Sequence, residues 1–237
     1  MIRYILILMC GRYTYYSAKD LIENYKFLNK SDHQTRLALD APDNYNVTPG
    51  SKMPVIVAGQ QKRRIELMTW GIIPNWSKEP HTKLKLINAR QEALFEKPLW
   101  KSLAKSKRCI VPARGFYEWK DIDGNRQPYY ISPKHGSVLS FAGLYDEWQG
   151  SNNELIRTFC IITTSPNAEM AKIHNRMPAI LSSDVLDLWL SDKELEQDLI
   201  NDILQKPQDN ILNLRKVSKL VNNPNNNSKE LIYTLDN

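Results

Sequence analysis

Four side chains of this 237-residue sequence stand where their types suit chemistry: Cys10 in ILMCGRY, Asn88 in INARQE, Glu118 in GFYEWK and His174 in KIHNRMP. Inside a chain Cys10 offers a thiol alone. At an N-terminus it would offer a thiol and a free α-amine on adjacent carbons. Its neighbours are Gly11, a mobile backbone, and Arg12, a cation that favours thiolate. Glu118 lies among aromatics in a strand pattern, so it either faces solvent by alternation or sits in a partly apolar pocket with a raised pKa. His174 reads as a hydrogen-bonded structural residue or as a proton carrier. Asn88 can cap a helix, and Arg90 and Arg176 can be plain surface charges. Cys109 in RCIVP and Cys160 in FCIITT lie in apolar runs, where cysteine behaves as a small buried hydrophobe.

The same inventory excludes several classes. No two histidines have the spacing of ligands on a helix, so no metal is expected. No Walker-type loop and no G-x-G-x-x-G is present, so no nucleotide or other cofactor is expected. Three scattered cysteines make neither a disulfide framework nor a Cys-rich zinc site. No apolar run approaches the roughly 18 residues of a membrane span, and no membrane partner is expected. MIRYILILM is too short for a complete signal peptide, and Leu8 and Met9 are bulky where a lipoprotein site at Cys10 would need small residues. Residues 1–9 are therefore expected to be dispensable: either Met9 is the initiator or the segment is removed. That leaves one domain over 10–237, expected in the cytoplasm.

These positions need a frame. Runs of β-branched and aromatic residues bounded by turn signals predict strands over 53–58, 63–70, 108–113, 115–120, 127–132, 138–148 and 155–164. DIDGN (121–125) predicts a hairpin turn with Gly124 at positive φ. Helices are predicted after Ser17, with Asp20 completing a capping signature, after Ser191 with Glu194, and over 88–96 as far as Pro98. VNNPNNNSKE, near the C-terminus, reads as a polar linker. Strands outnumber helices and do not alternate with them, so the fold class is α+β with a largely antiparallel sheet. The formal charge of +6 is unevenly placed: QKRR (61–64), KLK (83–85) and KSLAKSKR (101–108) are basic, while 191–204 is acidic. One basic face would suit a polyanion.

Read in order, nine segments are far more specific than any single residue. They are MCGRY (9–13), YNVTPG (45–50), WGIIPNW (70–76), INARQE (87–92), RCIVPARGFYEW (108–119), FAGLYDEW (141–148), TFCIITTSPN (158–167), IHNRMPAIL (173–181) and VNNPNNNSKELI (221–232). From about Met9 to Ile232 this series closely resembles the SRAP family, the SOS-response-associated peptidase-like proteins that process abasic sites. The resemblance implies a single α+β domain with a barrel-like β core flanked by a few helices. It also implies a monomer that covalently traps abasic sites in single-stranded DNA through the cysteine following the initiator methionine, here Cys10. The family's other active-site residues map onto Asn88, Glu118 and His174. Its DNA contacts map onto Arg12, Trp70, Arg90 and Arg176, with Pro49 and Trp76 near the groove.

The residue types suit that chemistry. An abasic deoxyribose opens to an aldehyde, and a terminal α-amine, with a pKa of about 7.7–8.0, can condense with it to a Schiff base. The thiol of the same residue then closes a five-membered thiazolidine, a step made effectively intramolecular by proximity. Glu118 would shuttle protons, His174 would hydrogen-bond the sugar oxygen, and Asn88 would orient the amine or the sugar. A Schiff base can also eliminate the 3′ phosphate, which is lyase chemistry, and the peptidase label fits self-removal of the residues before Cys10. Two other functions fit the same residues: a cysteine peptidase acting in trans through Cys10 and His174, and a non-catalytic single-strand-binding module.

Overall fold

Arg108–Ala113 and Leu155–Thr164 form strands with the bounds that their sequence predicts, and both are staves of a closed ring. The computed structural model describes residues 10–28, 32–58, 63–80, 86–205 and 207–235, so the leader 1–9 lies outside the described residues. Twelve strands are present among them. They are β1 (Tyr13–Tyr15), β2 (Asn44–Val47), β3 (Lys52–Val57), β4 (Arg64–Trp70), β5 (Asn88–Arg90), β6 (Arg108–Ala113), β7 (Gly115–Ile122), β8 (Asn125–Pro133), β9 (Leu139–Gln149), β10 (Leu155–Thr164), β11 (Met177–Pro178) and β12 (Leu212–Lys216).

The ring runs β10-β4-β3-β6-β9 and returns to β10. Its joins are antiparallel except β4 with β10, which is parallel. The second sheet, β12-β8-β7-β1-β2, is antiparallel throughout. The chain is thus a single α+β domain with a barrel core, as the sequence leads one to expect.

Alternation explains how β7 serves two cores. Phe116 pairs with Ile131 of β8, and both bury into the main core. Tyr117 and Tyr130, the adjacent pair, point the other way into a smaller cluster with Val217, Val221 and Leu231. Burying each such ring contributes about 1.5–3 kcal/mol. Glu118, two residues beyond Phe116, is carried to the Phe116 face. Gly115 opens this strand because a Cβ there would lie 2.5 Å from the Tyr130 ring. The predicted hairpin turn is present, with Asp123 and Gly124 at φ of 52° and 78° between the paired Ile122 and Asn125.

The helices depart further from the sequence pattern. Helix α1 (Ala18–Glu23) follows Ser17, but Ser17 caps nothing: it sits at φ 51° and its own N–H donates to Asp43 Oδ1 at 2.8 Å. Helix α2 (His33–Leu39), capped by Asp32, had no clear sequence signal. Over 88–96 no α-helix forms. Asn88–Arg90 is instead claimed by the edge of β10, and a single 3₁₀ turn, Gln91–Ala93, follows. Asn88 therefore caps no helix. Pro98 does not end a helix but begins α3 (Pro98–Ser106) at its first turn, where its missing N–H costs nothing. Helix α4 is Leu186–Trp189, and α5 (Gln197–Ile203) starts after Glu196, not at Ser191.

The asparagine-rich stretch is not a linker. Asn46 Nδ2 donates to the carbonyls of Val221, Asn223 and Asn226 at 3.3, 3.1 and 2.9 Å, so residues 221–226 form a strap across the second sheet. No helix among the described residues is long and apolar enough to cross a membrane.

Candidate active site

The β1–β7 register decides what meets Cys10. Tyr13 pairs with Phe116, and the Tyr117 N–H donates to Arg12 O at 3.0 Å, so the chain before β1 continues alongside β7. That brings the Cys10 N–H to Glu118 Oε1 at 2.7 Å, the short distance of a charge-assisted bond. Both residues are buried, at 1% and 3% exposure. Cys10 also holds φ at 43°, a left-handed conformation uncommon for a residue with a Cβ.

Electrostatics follow from this burial. Burial pushes the Glu118 carboxyl up to about 7, against the pull of the Cys10 and Trp119 N–H groups and the Arg126 charge. Burial, and then the Glu118 charge, raise the Cys10 thiol well above its ordinary value. The expectation that Arg12 favours a Cys10 thiolate is thereby overturned. The Arg12 guanidinium turns to the strap, donating to Asn46 Oδ1 and Val221 O at 2.7 Å each and to Asn222 O at 3.3 Å. It ties the backbone beside Cys10 to the strap.

His174 follows the 3₁₀ turn Met170–Lys172, and its N–H donates to Met170 O at 2.8 Å. The Arg176 N–H donates to His174 Nδ1 at 3.1 Å, which leaves Nε2 as the protonated nitrogen of the neutral ring. Burial lowers the His174 pKa despite that bond, and the charges of Arg126 and Arg176 add to the lowering. The Arg126 charge lowers the pKa of both Glu118 and His174. Asn88 and Arg90 are set by parallel pairing with Ile161 and Thr163 of β10. Arg176 reaches the same strand end, donating to Thr163 O at 2.6 Å and bidentately to Glu92 at 2.6 and 2.8 Å. A cleft of about 370 Å³ lies between Arg90 and Arg176, with Glu92, Ala93, Glu96 and Asn175 completing its lining.

The remaining assignments separate. Trp70 is packed into the core: it is 1% exposed, meets Tyr13 edge-on at 5.2 Å and Phe159 face-on at 6.3 Å, and donates its indole N–H to Ile87 O. Pro49 lies half-buried in the turn after β2, while Trp76 is 70% exposed on the loop after β4.

Comparison with known proteins identifies the family. The sequence profile described as SOS response associated peptidase (SRAP) matches residues 9–224. The chain belongs to this family. Among SRAP-related proteins, abasic site processing protein YoaM of Bacillus subtilis (strain 168) is 38% identical over 229 residues, covering 94% of this chain and 97% of YoaM. Abasic site processing protein HMCES of Xenopus tropicalis is 36% identical, over 81% of this chain and 66% of its own length. A crystal structure of a Bacteroides thetaiotaomicron protein superposes with a TM-score of 0.83 at 28% identity, covering 95% of this SRAP chain and all of the other.

Two residues of this SRAP site escaped the sequence reading. Trp119, beside Glu118, is half-exposed and donates its indole N–H to Asn222 Oδ1 at 2.8 Å. Its neighbour in sequence was the available signal. Arg126 looks like any charge after a turn, and only the pairing of Asp121 with Arg126 returns it beside β7, where its guanidinium lies 6.0 Å from the Trp119 ring centre.

Proposed function

We propose that this chain processes abasic sites in single-stranded DNA by capturing them covalently on Cys10, with residues 1–9 absent from the active form. The observation that carries the reading is the 2.7 Å contact between the Cys10 nitrogen and Glu118, because that nitrogen is the nucleophile the reaction requires. The names of the curated relatives, abasic site processing proteins, point the same way.

As a free amine, that nitrogen would have an ordinary pKa of about 7.7–8.0. Glu118, in contact with that nitrogen, takes the ammonium proton. The neutral amine adds to C1′ of the ring-opened sugar, forming a C–N bond and a carbinolamine. Glu118 returns the proton to the carbinolamine hydroxyl, which leaves as water, and the protonated imine remains. The Cys10 sulfur then adds to C1′ and its proton passes to the Glu118 carboxylate, closing the neutral thiazolidine with no net gain or loss of electrons. Burial keeps the thiol protonated until that step. His174 Nε2–H hydrogen-bonds the sugar oxygen and favours the open aldehyde, and Asn88 orients the amine or the sugar. Arg90 and Arg176 hold flanking phosphates, and Trp76 stacks on a base.

The same contact supports self-removal of residues 1–9. A carboxyl with a pKa of about 7 stands against the nitrogen of the Met9–Cys10 peptide bond, where a proton is needed as that bond breaks. Elimination of the 3′ phosphate from the imine gives a secondary lyase activity.

Purified protein with a mass-verified Cys10 terminus, mixed with an oligonucleotide carrying one abasic site, is expected to give a heat-stable shifted band on a denaturing gel. The absence of that band sinks the proposal. Protein retaining MIRYILILM is expected to give none until the segment is lost.

A further inference from the structure

We infer that Asp146, Thr158 and Trp148 are positioning residues whose task is to present Trp76 as a fixed platform for an unpaired base. The inference deepens the DNA reading above and rests on it. Asp146 of β9 pairs directly with Thr158 of β10, and Trp148, two residues on, shares the Asp146 face. All three side chains are buried. Each grips the loop after β4 at alternate residues. The Ile73 N–H donates to Thr158 Oγ1 at 3.1 Å, the Asn75 N–H donates to Asp146 Oδ2 at 2.9 Å, and Trp148 Nε1–H donates to Ser77 O at 2.7 Å. Lys107 Nζ, 2.8 Å from Asp146 Oδ1, balances the buried charge.

What the grip holds out is unusual. Trp76 lies between two pinned residues and is the most exposed large apolar side chain among the described residues, at 70%. A loop that only joined β4 to β5 would need neither three buried polar anchors nor an exposed indole. A tryptophan held rigid in advance loses little freedom when a base stacks on it, and every base has a face to offer. The grip is therefore preorganisation for single-stranded DNA of any sequence.

The test is a binding titration with a fluorescent single-stranded oligonucleotide lacking abasic sites, so that capture chemistry does not enter. Trp76→Ala is expected to weaken binding about tenfold, the scale of one lost stack. Asp146→Ala is expected to weaken it comparably, yet to add less than about twofold in the Trp76→Ala background, since it acts through that ring. Asp146→Asn keeps an acceptor for the Asn75 N–H and is expected to restore most of the affinity. Thr158→Val keeps the shape and loses the acceptor, and it carries the test if Asp146→Ala does not fold. Multiplying losses in the double variant, or wild-type binding by both Asp146→Ala and Thr158→Val, would overturn the inference. Wild-type binding by Trp76→Ala overturns it too. The DNA reading then survives if Arg90→Ala still weakens binding and fails if that variant also binds normally.

Discussion

Two buried carboxylates, Asp146 and Glu118, face opposite circumstances in one molecule. Asp146 has a lysine ammonium 2.8 Å away and accepts two backbone N–H bonds, from Asn75 and Glu147. Glu118 accepts from the Cys10 N–H, and among the described residues no cation lies within ion-pair distance of it. The first arrangement holds a charge still and uses it to fasten a loop. In the second, burial dominates and brings the carboxyl to about 7, where it can both take and give a proton near neutrality. Burial alone therefore does not bring a carboxyl to neutrality; burial without a counterion does.

The contrast can be broken at several points, the largest at the nucleophile. Cys10→Ala is expected to abolish the heat-stable crosslink, while Cys10→Ser keeps the amine and forms an adduct trapped only by borohydride, both read on denaturing gels. Glu118→Gln should slow capture about 100-fold and remove the inflection near pH 7 from the rate profile. The sign for stability is opposite. A carboxyl raised from 4.5 to about 7 binds its proton more tightly in the folded chain, so its contribution to stability is present below about pH 4.5 and lost as pH rises through 7. Glu118→Gln should thus be more stable than the parent at pH 8, by about 3 kcal/mol from the size of that shift, and the gain should vanish at pH 4 in urea unfolding.

Smaller effects separate the remaining residues. Trp70→Phe removes the indole donor to the Ile87 carbonyl, which keeps the Ile161 N–H, and is expected to lower stability by about 0.5–1.5 kcal/mol. Its affinity for single-stranded DNA should stay unchanged. Arg90→Ala should reduce the slope of log affinity against log salt by about 0.7, one phosphate on a single strand. Arg176→Ala should reduce it less, because Glu92 already holds that guanidinium at 2.6 and 2.8 Å.

The strands were legible because their apolar residues alternate and their ends carry turn residues, as at Asp123 and Gly124. The segment 88–96 misled because its apolar spacing suits a helix, while the free edge of β10 that captures Asn88–Arg90 belongs to residues far away in sequence. Within the candidate site, Cys10 and Glu118 were readable as residues but not as neighbours. Only the β1–β7 register makes them so. Arg12 and Trp70, which the resemblance maps onto DNA contacts, have partners the sequence did not show: the carbonyls of the strap and of Ile87.

The strap also sets a clock. Arg12, two residues from Cys10, finds its Val221 acceptor 209 residues later in the chain. During synthesis at about 5–20 residues per second, the backbone beside Cys10 waits roughly 10–40 s before that anchor can leave the ribosome. A newborn molecule therefore carries Cys10 well before the vise that holds its backbone.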